Sequence, residues 1–185
     1  MVSLLNQGNL FTFPTDLMPA VVLSDRLMTD ERPAFSSWTK LWTHSDVNHS
    51  MFLHRPWRFA TQDNDYHEIE MREFLDGHHR LEVYTIHIPS AELQDIQLDI
   101  ERDLRALRFF RRYDKLGILG QILRLRWLNL PYLWYCSERV AKSLRKSRTL
   151  REAGLPTRPT PGELKVWFMD HQDLVKLHGI YDPRF

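Results

Sequence analysis

The stretch "VNHSMFLHRPWRFATQ", residues 47 to 62, decides how this chain is read. Val47, His49, Met51 and Leu53 fall on one face at period two, with Asn48, Ser50 and Phe52 on the other, the pattern of a strand with little exposure. Arg55 and Pro56 break the run and "WRFATQ" resumes it, so the segment predicts two antiparallel strands joined by a short turn. A histidine in a strand otherwise apolar enough to be core needs a partner for its ring. His49 therefore has two readings, a satisfied core histidine or a chemical base.

Outward from that hairpin, "RLEVYTIHI" predicts a third strand, with Leu81, Val83 and Thr85 alternating with Glu82, Tyr84 and Ile86, and Pro89 ends it. From Ser90, a good N-cap, Leu93, Ile96, Ile100, Leu104 and Leu107 recur at steps of three and four and predict an amphipathic helix. "SERVAKSLRKSRTLREAG" predicts another: Glu138 stands in a polar first turn, Val140, Ala141 and Leu144 face the core, and Lys and Arg crowd the end before Gly154. Pro156, Pro159 and Pro161 mark a C-terminal linker.

That second helix begins at "LWYCSERVAK", residues 133 to 142, which holds the chain's single cysteine. Unpaired cysteine is most often a small buried hydrophobe. At a helix N-terminus, however, free N–H groups and the positive end of the macrodipole favour an anion. A free thiol with a pKa of about 8.5 is only about 3% thiolate at pH 7, and such a position lowers the pKa. Cys136 is thus a candidate nucleophile.

Composition narrows the field. A chain of 185 residues is most simply one domain, large enough to fold without staples. One cysteine allows no internal disulfide, no paired-cysteine zinc spacing is present, and a reducing compartment is expected. Of nine histidines, His78 and His79 fall in an expected turn, His67 in a polar loop, and His171 and His178 in the C-terminal tail, so neither metal nor cofactor is expected. The N-terminus lacks a positively charged start, and no window reaches the roughly 18 apolar residues of a membrane span.

Charge is uneven. Residues 1 to 100 carry 7 Lys and Arg against 15 Asp and Glu, and residues 101 to 185 carry 18 against 9. The basic half reads as solvated helix faces or as a surface for polyanions. No nucleic-acid motif accompanies it, so nucleic-acid binding is not the expected function.

Taken together, "SSWTKLWTHSDVNHSMFLHRPWRFATQ", "YDKLGILG" and "YCSERVAKSL" resemble, in that order, the circularly permuted papain-like proteins of the NlpC-related superfamily, the branch with YiiX-type and lecithin:retinol acyltransferase-like enzymes. The histidine strand precedes the cysteine helix, as in the permuted branch. The resemblance implies an α+β domain over residues 1–165, a small antiparallel sheet packed against the helix that carries the cysteine, with residues 166–185 as a tail packing on or extending from it. It also implies a cysteine hydrolase or acyltransferase acting on an amide or ester, with Cys136 as nucleophile and His49 as base.

Members of the group carry a third polar residue on the neighbouring strand. Twelve residues on from His49 that count reaches Thr61, a departure from the usual carboxylate, amide or imidazole. Gln62 is therefore the expected orienting residue, with Asp63 in reserve. Tyr135, Trp134 and Asn48 are expected at the substrate, a peptide or acyl group, and Glu138 is expected to be structural. Partners in a virion or cell envelope, and a cytoplasmic or virion-associated location, go with the same resemblance. A non-enzymatic assembly protein, such as a phage virion or tail component, is the alternative.

Overall fold

The computed structural model describes residues 2–6, 9–13, 18–26, 47, 49–62, 65–75, 79–106 and 135–181. The expectations for "SSWTKLWTHSD", for "YDKLGILG" and for Asn48, Asp63, Leu107 and Trp134 lie outside these residues. The described chain is mixed α+β. Its strands are β1 (Val2–Asn6), β2 (Asn9–Phe13), β3 (Ala20–Arg26), β4 (His49–Arg55), β5 (Arg58–Gln62), β6 (Tyr66–Glu70), β7 (His79–Ile86) and β8 (Val175–Tyr181). Its helices are α1 (Met71–Leu75), α2 (Ser90–Arg105), α3 (Cys136–Leu144), α4 (Arg148–Glu152) and α5 (Pro161–Asp170).

Strands β1 and β2 form a hairpin of their own, and the other six form one antiparallel sheet in the order β6-β5-β4-β3-β7-β8. The sheet is larger than the three strands expected. His67 and His178 lie in strands rather than in a loop and a loose tail, and His79 opens β7.

The hairpin between β4 and β5 turns at Pro56 and Trp57, one residue later than expected. Trp57 has φ 65°, so proline is followed by a left-handed residue, the arrangement of a type II turn. That conformation costs a residue with a side chain about 1–2 kcal/mol. The Trp57 carbonyl accepts the Met71 N–H at 2.7 Å, which ties the turn to the start of α1.

Strand alternation sorts the core into two layers. Val21, Leu23, Phe52, Ala60, Tyr84 and Ile86 meet Ile96 and Ile100 of α2, Val140 and Leu144 of α3, and Leu164 and Phe168 of α5. Ala20, Val22, Met51, Leu53, Phe59, Leu81 and Val83 point the other way and meet Met71 and Phe74 of α1. No described helix is long and apolar enough to cross a membrane.

The expected C-terminal linker is instead the approach to a helix. Thr160 caps α5, its side chain accepting the Glu163 N–H at 3.1 Å while Glu163 Oε2 accepts the Thr160 N–H at 2.7 Å, and Pro161 is the first helical residue. The expected boundary at residue 165 falls inside α5, and the tail continues as β8, paired with β7 from Ile86↔Val175 to Leu81↔Tyr181. The stretch read as one helix from Ser137 is two. Ser147 ends the connection by accepting the Leu150 N–H at 3.1 Å, and Glu92 of α2 accepts the Thr149 N–H at 3.0 Å and a hydrogen bond from the Ser147 hydroxyl.

Much of the basic charge on α3 is neutralised internally. Asp103 Oδ2 accepts Arg139 Nη1 at 2.7 Å and Lys142 Nζ at 2.6 Å, and Asp99 Oδ2 accepts the Ser143 hydroxyl at 3.0 Å with Lys142 at 3.3 Å. These contacts clamp α2 to α3. Burial pushes the Asp99 carboxyl up, but the Lys142 charge, the Ser143 hydroxyl and the Lys146 charge outweigh it and hold the group below its ordinary range.

A carboxyl held lower in the folded chain contributes stability above its unfolded pKa of about 3.9, and that contribution is lost as pH falls from there through the folded value. Asp99→Asn is expected to cost about 2 kcal/mol at pH 7 in a denaturant titration. The gap between variant and native protein should narrow below about pH 4. A gap that is the same at pH 7 and pH 3 would rule out the charge as its source.

Candidate cysteine-histidine site

Helix α3 packs against β4, and the packing sets the first turn of the helix over the first residues of the strand. Cys136 is the first helical residue. Tyr135 precedes it in an extended conformation, φ −94° and ψ 171°, and supplies no side-chain cap. The positive end of the helix dipole is thus presented next to the sulfur.

Four contacts anchor this turn. The Tyr135 hydroxyl lies 3.2 Å from the Pro159 carbonyl oxygen, and the Ser137 hydroxyl donates to the same oxygen at 2.6 Å. Arg158 Nε stands 3.5 Å from Glu138 Oε1, and Arg139 stands 5.0 Å over the Tyr66 ring. The proline segment before α5 therefore acts as a strap across the cysteine turn. Glu138 is fully buried in it, while Tyr135, expected at the substrate, is 2% exposed with its hydroxyl turned to the strap.

On the strand side, His49 Nε2 lies 2.7 Å from Thr61 Oγ1. This corrects the expectation that Gln62 orients the ring. The reason is strand parity: β4 and β5 pair with Phe52 opposite Ala60, so Thr61 shares the face of Met51 and His49, whereas Gln62 shares the face of Phe52 and Ser50. Phe74 of α1 stacks on the His49 ring at 6.4 Å between centroids and 22° between planes, and Phe59 meets Phe74 edge-on. The ring is held by a hydrogen bond at one end and an aromatic face along its plane.

The sulfur feels that arrangement. Burial pushes the Cys136 thiol up, yet the His49 ring, by charge and by a side-chain hydrogen bond, together with the Ser50 N–H and hydroxyl, outweighs it and holds the thiol below its ordinary value. Cys136 is 3% exposed.

Of the residues expected in the site, Cys136 and His49 come together, Thr61 takes the place of Gln62, and Tyr135 turns away. Ser50, Phe74 and Pro159 join the site without any expectation from sequence. Ser50 could have been noticed as a polar residue beside His49 in a buried strand, whereas Phe74 and Pro159 reach it by tertiary contacts alone. Among the described residues no three His, Cys, Asp or Glu side chains converge to hold a metal ion. Comparison of the chain with protein-family models, curated proteins and solved structures finds no match.

Proposed function

We propose that this chain is a thiol-dependent hydrolase or acyltransferase with a permuted papain-like fold, acting on an amide or ester through Cys136 and His49. The observation that carries the reading is the group of Thr61, His49 and Cys136, in which a half-buried imidazole is oriented by a hydroxyl and lowers the thiol beside it. His49 takes the thiol proton, and the thiolate attacks the carbonyl carbon. The imidazolium returns that proton to the departing amine or alcohol, leaving a thioester on Cys136. Water or an acceptor amine or hydroxyl then attacks the thioester, with His49 as base, and the free thiol is regenerated.

Backbone N–H groups in the first turn of α3 are suited to the oxyanion of each tetrahedral intermediate, a role worth roughly 3 kcal/mol per donor in other enzymes. A cell-wall peptide or a lipid-linked acyl group fits this chemistry as substrate. The reading goes with work in the cytoplasm, or in a virion if a phage encodes the chain. One observation favours the second reading, an assembly protein that keeps the fold without the activity: Cys136 is nearly covered.

The two readings separate in one experiment. The intact protein is incubated with a small activated aryl ester and weighed by mass spectrometry at intervals. An enzyme gains one acyl group, mapped to Cys136, and loses it again as water or added amine attacks. A protein that gains no acyl group, or gains one on lysines alone at the rate of the unfolded chain, is the assembly protein.

A further inference from the structure

We propose that Phe74 is a positioning residue for His49, its ring lying along the imidazole and fixing the plane in which that imidazole meets the sulfur of Cys136. The inference rests on the cysteine-histidine reading above and adds to it a residue that acts through the base rather than on the substrate. Thr61 Oγ1, 2.7 Å from Nε2, holds the imidazole at one atom. The χ2 torsion of a histidine is broad rather than staggered, so a ring held at one atom and at Cβ can still swing about the line that joins them. A flat surface along the ring removes that freedom.

Phe74 supplies the surface. Its ring centroid lies 6.4 Å from that of His49 with 22° between the planes, an offset stack within the range of aromatic pairs. Phe59 meets Phe74 edge-on at 5.4 Å and 81°, so the bracing ring is itself braced. Phe59 is fully buried and Phe74 is 9% exposed, whereas His49 is only half-buried. The two phenylalanines are thus more firmly enclosed than the ring they support.

The placement of Phe74 follows from its short helix. Met71 and Phe74, three apart on α1, share its buried face and pack with Met51, Leu53 and Phe59. A helix of five residues has no stability of its own, so its contacts decide where it stands. Its first N–H, on Met71, donates to the Trp57 carbonyl in the turn between β4 and β5. The hairpin that carries His49 and Thr61 therefore also sets, through α1, the ring that braces the base.

A phenylalanine that merely fills the core would have no bearing on the ionisation of the thiol, and pH separates the two roles. The chain's single cysteine allows Cys136 alkylation by iodoacetamide to be followed from about pH 5 to about pH 10. The native protein is compared with Phe74→Leu, Phe74→Tyr and His49→Ala, with thermal unfolding of each measured alongside. Phe74→Leu stays apolar but loses the flat face. It is expected to react about fivefold more slowly than the native protein at pH 6 and to converge with it above about pH 9, where both thiols are ionised. Phe74→Tyr, which keeps the ring, should react at the native rate.

A Phe74→Leu rate equal to the native one at every pH overturns the proposal. So does a slower rate whose ratio to the native one is constant with pH, the mark of altered packing or access, and so does a Phe74→Tyr protein as slow as Phe74→Leu. Should Phe74→Leu not fold, Phe74→Met, whose flexible chain fills gaps, makes the same comparison with Phe74→Tyr. If the native thiol reacts like a free cysteine at every pH, the hydrolase reading and this one fall together. If His49→Ala shows the pH-dependent loss and Phe74→Leu does not, this inference alone falls.

Discussion

His49→Ala is expected to slow alkylation of Cys136 at pH 6 by at least tenfold, about the effect of one pK unit, and Cys136→Ser to abolish labelling altogether. The argument is a proton balance. Iodoacetamide reacts with the thiolate, so the rate follows the thiolate fraction. In the native protein burial pushes the thiol up, but the His49 charge and hydrogen bond outweigh it and hold the thiol below its ordinary value, which raises the thiolate fraction at any pH below the midpoint. Without the ring the upward push remains. Even an unperturbed thiol, with a pKa of about 8.5, is thiolate in only about 0.3% of molecules at pH 6.

Native and variant rates should therefore converge as pH rises above about 9, where both thiols are ionised. They should diverge tenfold for each unit of pH below the variant's midpoint, down to the native one. Access to a covered sulfur slows both proteins alike and cancels in the ratio. A constant ratio across pH would mean that His49 governs access rather than ionisation, and the base assignment would be lost.

The second large effect is at Thr61. Thr61→Val keeps the shape and removes the hydroxyl that meets His49 Nε2, and is expected to lower the rate of Cys136 acylation by an activated ester about tenfold. Thr61→Ser should recover most of that loss. The physical basis is orientation: a neutral hydroxyl stabilises an imidazolium less than a carboxylate would, but it fixes which nitrogen faces the sulfur. Gln62→Ala separates the two assignments for the third residue. Gln62 lies on the opposite face of β5, so its removal should leave the pH dependence of acylation unchanged. A Gln62→Ala protein acylated as slowly as Thr61→Val, with the same altered pH profile, would return the role to Gln62.

Some of this was readable in advance and some was not, for reasons that differ by residue. The hairpin from His49 to Gln62 and the amphipathic helix from Ser90 were legible because their periodicity is written in neighbouring side chains. The central strand β3 was missed although "AVVL" is an apolar run, because a short run without alternation does not by itself distinguish strand from helix. Helix α5 was missed although its capping box, Thr160-Pro161-Gly162-Glu163, stood in plain view. Three prolines nearby drew the reading toward a linker, while the one at Pro161 was in the position where a helix accepts it.

By itself the sequence determined the reactive groups and their local settings: a thiol at the start of a helix and an imidazole at the start of a buried strand, both consequences of adjacent residues and short-range hydrogen bonding. The tertiary structure alone decided that the helix begins over that strand, that Pro159 straps the cysteine turn, and that Thr61 rather than Gln62 meets His49. These contacts join segments far apart in the chain, and the last depends on strand register, where a step of one residue moves a side chain to the other face of the sheet.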